Sequence, residues 1–150
     1  MTVLIGLKTC LEKYINEYLE GNNELQVSVP PFTVDQIVID TPDIDKLAKN
    51  NMIYLIPDYQ TMQPQTTCTS RNDNSIKVWL FCKRDKNENL VARACCIYSS
   101  ILQVILNHRT LDGAVDLVEF TSSDFYPAIT ASNTISAFEI NLTCTYIMPR

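Results

Sequence analysis

Apolar residues recur at helical spacing over residues 3–20. The side chains that share one face of this segment are Leu4, Leu7, Leu11, Ile15 and Tyr18. This spacing predicts an amphipathic helix, and we expect it to stop at Gly21 because glycine is common just past a helix end. The alternating segment 25–29 then predicts a short strand that ends at Pro30, since proline donates no backbone hydrogen bond to a sheet.

Two further apolar runs, Ile37–Ile39 and Met52–Ile56, have the length of strands. The residues between them, 41–45, predict a turn with a short helical segment. The next segment, 57–74, is polar and is long for a structureless connection in a small domain. We therefore predict a polar arm or loop there, and the alternation over 61–69 also allows a polar hairpin.

Ser75–Cys82 is the clearest strand. One face carries Ile76, Val78, Leu80 and Cys82, and the other carries Lys77, Trp79 and Phe81. Trp79 is expected either to meet the first helix or to anchor a subunit interface, and the core position is favoured. Apolar residues at helical spacing over 89–107 predict a long helix that packs across the sheet.

The segments 114–121 and 134–147 complete the predicted strands. In the second of them the apolar positions are Phe138, Ile140, Leu142, Cys144 and Tyr146, and the polar positions are Glu139, Asn141, Thr143 and Thr145. This alternation predicts one face against the core and one face in water. The order of elements predicts an α+β fold with a mixed, antiparallel-rich sheet, an N-terminal helix and a long helix on the same side.

Length and charge restrict the classes of function. At 150 residues the chain is predicted to be a single domain over 1–150. Its net charge of −5 and its lack of Lys and Arg clusters argue against tight nucleic-acid binding. The longest apolar runs fall well short of the roughly 18 residues needed for a membrane span, and the first residues lack the features of a secretory signal. We expect a cytoplasmic protein that does not bind membranes.

Candidate chemistry is sparse. The six cysteines lack a CxxC pair and regular spacing, so reduced core cysteines are expected rather than disulfides or zinc. His108 lies at the end of the long helix, where a capping role is favoured. The Asp40–Asp45 segment lacks the spacing of a calcium loop, and three isolated glycines form no phosphate-binding loop. We predict no catalytic, cofactor or metal site.

Residues 74–147 carry a family resemblance. A strand at Ile76–Lys83, a long helix containing Leu90-Val-Ala-Arg-Ala and Tyr98-Ser-Ser-Ile-Leu, a Leu111-Asp-Gly turn and two strands separated by Ser123-Asp-Phe-Tyr-Pro resemble the tail and neck terminator proteins of bacteriophages. The N-terminal helix, Pro30-Pro31 and the polar stretch before the central strand are similar to the same family. The resemblance therefore covers most of the chain.

The resemblance implies a structural virion protein without catalytic residues. Such a subunit forms a ring, typically of six copies, at the end of the tail tube, stops tube polymerisation and joins the tail to the neck and head connector. Its implied partners are other copies of itself, the tail-tube protein and the neck or connector proteins, with DNA only passing through a lumen. It would assemble in the cytoplasm of a bacterial host and reside in the virion.

Physical reasoning nominates the interface residues. The polar segment contributes Tyr59, Gln60, Met62, Gln63, Gln65 and Arg71, the central strand contributes Trp79, and the wet face of the last strand contributes Glu139, Asn141 and Thr143. The alternative is a small cytoplasmic adaptor or protein-binding module with no virion role. A third hypothesis is an enzyme built from scattered carboxylates and hydroxyls, which a deep pocket lined by groups with strongly perturbed pKa values would support.

Overall fold

The computed structural model describes residues 2–24, 33–47, 49–64, 68–84, 90–128 and 134–149. They contain the α-helices α1 (Thr2–Glu24) and α2 (Leu90–Asn107) and a short 3₁₀ helix at Ile44–Lys46. The strands are β1 (Gln36–Ile39), β2 (Asn51–Pro64), β3 (Thr69–Lys83), β4 (Leu117–Tyr126) and β5 (Ile135–Pro149). They form one sheet in the order β1-β2-β3-β5-β4.

The sheet is mixed. β1 runs parallel to β2, and every other neighbouring pair of strands is antiparallel. Both helices contribute to a single core against one face of the sheet. These features confirm the predicted α+β fold, with an N-terminal helix and a long helix on the same side of the sheet.

The main core lies between the helices and the sheet. Its fully buried members include Leu7, Leu11, Ile97, Ile101, Val78, Leu80, Ile140 and Leu142. Full burial of one such side chain stabilises the fold by about 1.5–3 kcal/mol. A smaller cluster on the opposite face consists of Leu47, Met52, Tyr54, Phe81, Ile135 and Ala137. It gives the end of the sheet near the 3₁₀ helix an apolar layer on both sides.

The apolar character of α2 follows from its place in this core. The helix has the length and composition of a membrane span, with a mean hydropathy of 1.5 over 18 residues. Half of that stretch is buried, and Ala94, Ile97 and Val104 belong to the core formed with α1 and the sheet. A helix packed on more than one side is expected to be apolar around much of its circumference.

Several predicted boundaries are wrong. α1 continues through Gly21 to Glu24, because an interior glycine costs a helix only about 1 kcal/mol and Leu19, which is fully buried, fixes the preceding turn. β4 includes Ser123–Tyr126, which were expected to connect the last two strands. A register shift between Phe120 and Ser122 interrupts the alternation and conceals the length of this strand.

The segment 57–74 is largely β-structure. Residues 57–64 belong to β2 and residues 69–74 to β3, as in the hairpin alternative. β3 also pairs with β5 from Thr69 to Lys83, so the hairpin shares its second strand with the main sheet. The predicted strand at 25–29, Pro30, Pro31 and Gln65 lie outside the described residues.

A tight turn connects α2 to β4. Leu111, Asp112 and Gly113 have φ angles of 50°, 56° and 96°, in the left-handed region. Leu111 is almost completely buried, which offsets the cost of this conformation for a residue with a large side chain. The predicted Leu-Asp-Gly turn is confirmed.

Candidate assembly interface

The side of the sheet opposite the helices brings together several of the nominated residues. In the register of β3 and β5, Trp79 is the partner of Glu139, Lys77 of Asn141, and Ser75 of Thr143. These residues alternate with the buried positions of the helix-facing core. We call the surface formed by Lys77, Trp79, Glu139, Asn141 and Thr143, with Ser122 and Tyr126 of β4, the open face.

An ion pair lies at the centre of the open face. Lys77 Nζ donates a hydrogen bond of 2.8 Å to Glu139 Oε1. The hydrogen bond that this carboxylate accepts, and then its negative charge, raises the pKa of Lys77. Lys77 was noted on this face in the sequence, but its pairing with Glu139 follows from the register of two strands that are distant in the chain.

Aromatic rings extend from the small core onto the open face. The ring of Trp79 stacks on Phe81 with a centroid distance of 5.6 Å, and on Tyr126 with a distance of 5.8 Å. Phe81 meets the edge of Tyr54 at 5.8 Å. Trp79 therefore packs at the border of the small core and remains partly exposed. The expectation that it would meet the first helix is wrong, because α1 covers the other face of the sheet.

Polar side chains on β4 and β5 are bonded to each other. Asn141 Nδ2 donates to Ser122 Oγ at 3.1 Å, and the hydroxyls of Thr121 and Thr143 are 3.3 Å apart. These contacts place the side chains of Asn141 and Thr143 across the surface. They are held in position but are only partly buried.

Thr145 was predicted to be exposed to solvent, and this prediction is wrong. It is buried, and its hydroxyl donates a 2.6 Å hydrogen bond to Asp73 Oδ1. Arg71 Nε donates to the same oxygen at 3.0 Å. The bond from Thr145 is the main cause of the lowered pKa of Asp73, Arg71 adds to it, and burial opposes it. A polar side chain can therefore be buried in this strand because a carboxylate on β3 accepts its hydrogen bond.

A β-bulge at Asp58 separates the other nominated residues. After it, Gln60 and Met62 take register positions opposite Asn74 and Asn72 on the side of the helices, and Tyr59 and Gln63 take register positions opposite Ser75 and Arg71. Gln60 Nε2 donates to Asn72 Oδ1 at 3.5 Å. Met62 is 60% exposed. The nominated residues of the hairpin therefore do not form one surface.

The cysteines divide into a buried and an exposed set. Cys10, Cys82, Cys96 and Cys144 are buried, as expected, whereas Cys68 and Cys95 are exposed. Burial raises the pKa of the Cys82 and Cys144 thiols to about 12, which keeps them protonated at neutral pH. In the described part of the chain no group of three His, Cys, Asp or Glu side chains is placed to bind a metal ion.

A groove of about 340 Å³ separates α1 from the segment that enters β1. Several of its polar groups have structural partners. Lys8 and Glu12 form an ion pair of 3.5 Å, and Asn16 Oδ1 accepts a hydrogen bond from the Val34 amide at 3.0 Å. The bond between Val34 and Asn16 holds the segment before β1 against the first helix.

No protein-family model and no curated protein sequence matches the chain. Several solved structures resemble it. One is part of the virion of a native gene transfer agent particle, with 6% identity and a TM-score of 0.46, and the match covers 92% of this chain and 98% of that one. Another is the sheath/tube terminator of an extracellular contractile injection system, PVC, in the extended state, with 8% identity and a TM-score of 0.41. That match covers 91% of this chain and 57% of the other.

Proposed function

We propose that this protein is a structural subunit of a phage or phage-like tail, which forms a ring at the end of the tail tube. The ring, of six copies, stops polymerisation of the tube and joins the tail to the neck and head connector. The family resemblance in residues 74–147 is the basis for the particular assembly. The open face is the structural feature that supports an assembly role.

The composition of the open face suits contact with another protein. Trp79 and Tyr126 offer aromatic surface, and Asn141, Thr143 and the Lys77–Glu139 pair surround it with polar groups. Protein interfaces combine aromatic residues in the centre with a polar rim in this way. Because these side chains stand on paired strands and are bonded to neighbours, their ordering on binding costs less conformational entropy.

The hairpin provides a second surface for assembly in this proposal. Gln60 and Met62 lie on one side of the hairpin, and Arg71 lies on the other with its guanidinium bonded to Asp73. A neighbouring subunit or the tail-tube protein could contact either side. The exposed Met62 is the strongest apolar anchor there, since a flexible thioether adapts to irregular surfaces.

The negative charge of the protein is compatible with a ring through which DNA passes. A net charge of −5 disfavours adhesion to phosphates, which would slow transit. In this role the protein needs no specific contact with the nucleic acid. Assembly in a bacterial cytoplasm and residence in the virion follow from the same proposal.

Negative-stain electron microscopy of the purified protein tests the proposal. The wild-type chain should give ring-shaped particles, and the double variant Asn141→Arg and Thr143→Arg should give dispersed small particles, because two cations would be buried in the interface. Glu17→Arg and Glu20→Arg on the exposed face of α1 form the control and should retain rings. If the protein forms no rings and instead forms small discrete particles with a single partner protein, the adaptor hypothesis would be supported.

A further inference from the structure

β4 is an edge strand with an available backbone. It is last in the sheet order and pairs only with β5 among the described strands. Val118 is the one buried residue of this strand, and Phe120, Phe125 and Tyr126 are each 37–38% exposed. A long exposed edge with apolar side chains is a template for pairing with another strand.

A groove runs beside this edge on the helix-facing side of the sheet. It has a volume of about 310 Å³ and lies between α2 and β4. Leu102, Ile105, Leu106, Val118 and Phe120 provide its apolar walls, and Arg109 and Glu119 also border it. Leu106 is 54% exposed. A strand added to β4 would direct every second side chain towards this groove.

The other side of the same edge is acidic. Glu119 and Asp124 are exposed, and their register partners Thr143 and Glu139 lie on the open face. Within the described residues neither carboxylate has a cationic partner. An added strand would therefore meet negative charge at the positions that alternate with those facing the groove.

Charge disfavours a second copy of this chain as the added strand. Two β4 strands paired antiparallel over their full length would place Glu119 of one copy opposite Asp124 of the other. The opposite edge strand, β1, is flanked by Asp35 and Asp40, so joining β1 of one copy to β4 of the next would also bring carboxylates together. Like charges at facing positions destabilise a strand pair.

We propose that β4 accepts an extended strand of a different protein. The partner strand carries apolar side chains at the positions that face the α2–β4 groove, and Lys or Arg at the intervening positions beside Glu119 and Asp124. Backbone hydrogen bonds along β4 supply affinity, and the alternating side chains supply selectivity. This docking surface lies at the free edge of β4 and adjoins the open face at Glu119 and Asp124, but it does not depend on ring formation.

Fluorescence anisotropy with a labelled synthetic peptide tests this proposal. The probe alternates valine and lysine over ten residues, the length of β4, and its control has glutamate in place of lysine. The lysine peptide should bind, and Glu119→Lys with Asp124→Lys should weaken that binding by about tenfold or more, as expected for reversing two favourable charge contacts. Glu17→Lys with Glu20→Lys makes the same change in net charge on α1 and should leave binding unchanged.

Backbone pairing is tested by N-methylation of the probe. Two peptides are compared, each N-methylated at every second amide, so that one lacks the N–H donors that face β4 and the other lacks the N–H donors that face away from it. The first peptide should fail to bind, and the second should still bind. Equal binding of both methylated peptides, equal effects of the two charge-reversal variants, or no binding of the lysine peptide would each overturn the proposal. A wild-type dimer that dissociates in the Glu119→Lys and Asp124→Lys variant would assign the edge to a second copy and would also overturn it.

Discussion

The Lys77 ammonium group lies 2.8 Å from the Glu139 carboxylate across the junction of β3 and β5. The two side chains keep 35% and 13% of their exposure. A subunit that covered this part of the open face would contact an ion pair with no net charge. Covering such a pair costs less desolvation than covering a carboxylate alone. The pair therefore makes this surface compatible with burial in an assembly.

Breaking the Lys77–Glu139 pair should lower stability modestly. Lys77→Met should lower the free energy of unfolding by about 1 kcal/mol at pH 7, the upper range for a partly exposed pair, and Glu139→Gln by less because the amide oxygen can still accept a hydrogen bond from Lys77. Chemical denaturation of both single variants and the double variant measures the coupling. Because the pKa of Lys77 is raised, the coupling is complete below the unfolded pKa of about 10.4 and is lost as pH rises through the folded pKa. Zero coupling at pH 7 would contradict this account.

The Thr145–Asp73 hydrogen bond should contribute stability that depends on pH. Thr145→Val removes the donor and should cost about 1 kcal/mol at pH 7. Since the folded pKa of Asp73 is lowered, its contribution is present above the unfolded pKa of about 3.9 and is lost as pH falls through the folded pKa. The difference between wild type and Thr145→Val should therefore shrink towards pH 2. Thr143→Val removes a hydroxyl contact between neutral groups and should give a difference that does not change with pH.

Gly6 permits the close approach of α1 to the turn before β4. A Cβ atom on Gly6 would lie 2.5 Å from the Cβ of Ala114. Although alanine is the better helix former, Gly6→Ala should destabilise the protein by about 1–3 kcal/mol through overpacking. Ala114→Gly should restore most of this loss in the double variant, measured by thermal unfolding. A Gly6→Ala protein at least as stable as wild type would show that the helix and the turn separate at little cost.

Thiol reactivity should divide the cysteines by burial. Cys68 and Cys95 are exposed and should react with a disulfide reagent in the native state, Cys95 more slowly than an ordinary exposed thiol because desolvation raises its pKa. Cys82 and Cys144, with pKa values raised to about 12, should react only when the protein unfolds. The variant Cys68→Ser with Cys95→Ser should lack the fast phase. Rapid native-state labelling of Cys82 would contradict the described core.

The alternation of apolar and polar residues along β5 predicted much of the open face. Glu139, Asn141 and Thr143 were placed on one surface because alternate residues of a strand point to the same side. The same pattern failed at Thr145, whose burial depends on Asp73, a residue that is 72 positions away in the chain. Such long-range hydrogen bonds have no signature in the local pattern.

The bulges could not be predicted from hydrophobic alternation. The register shift after Pro57 places Gln60 and Met62 on the side opposite Arg71, and the shift after Phe120 hides the second half of β4. Neither site contains the glycine that often marks a bulge. The position of Trp79 was likewise open, because the sequence does not state which face of the sheet the helices cover.

The most direct test of an assembly role is the solution mass by light scattering over a concentration series. The account predicts a mass near six times 17.1 kDa for the wild-type chain. It also predicts a fall towards 17.1 kDa when Asn141→Arg and Thr143→Arg are introduced into the open face. A wild-type mass of 17.1 kDa at every concentration, unchanged by those substitutions, would contradict it.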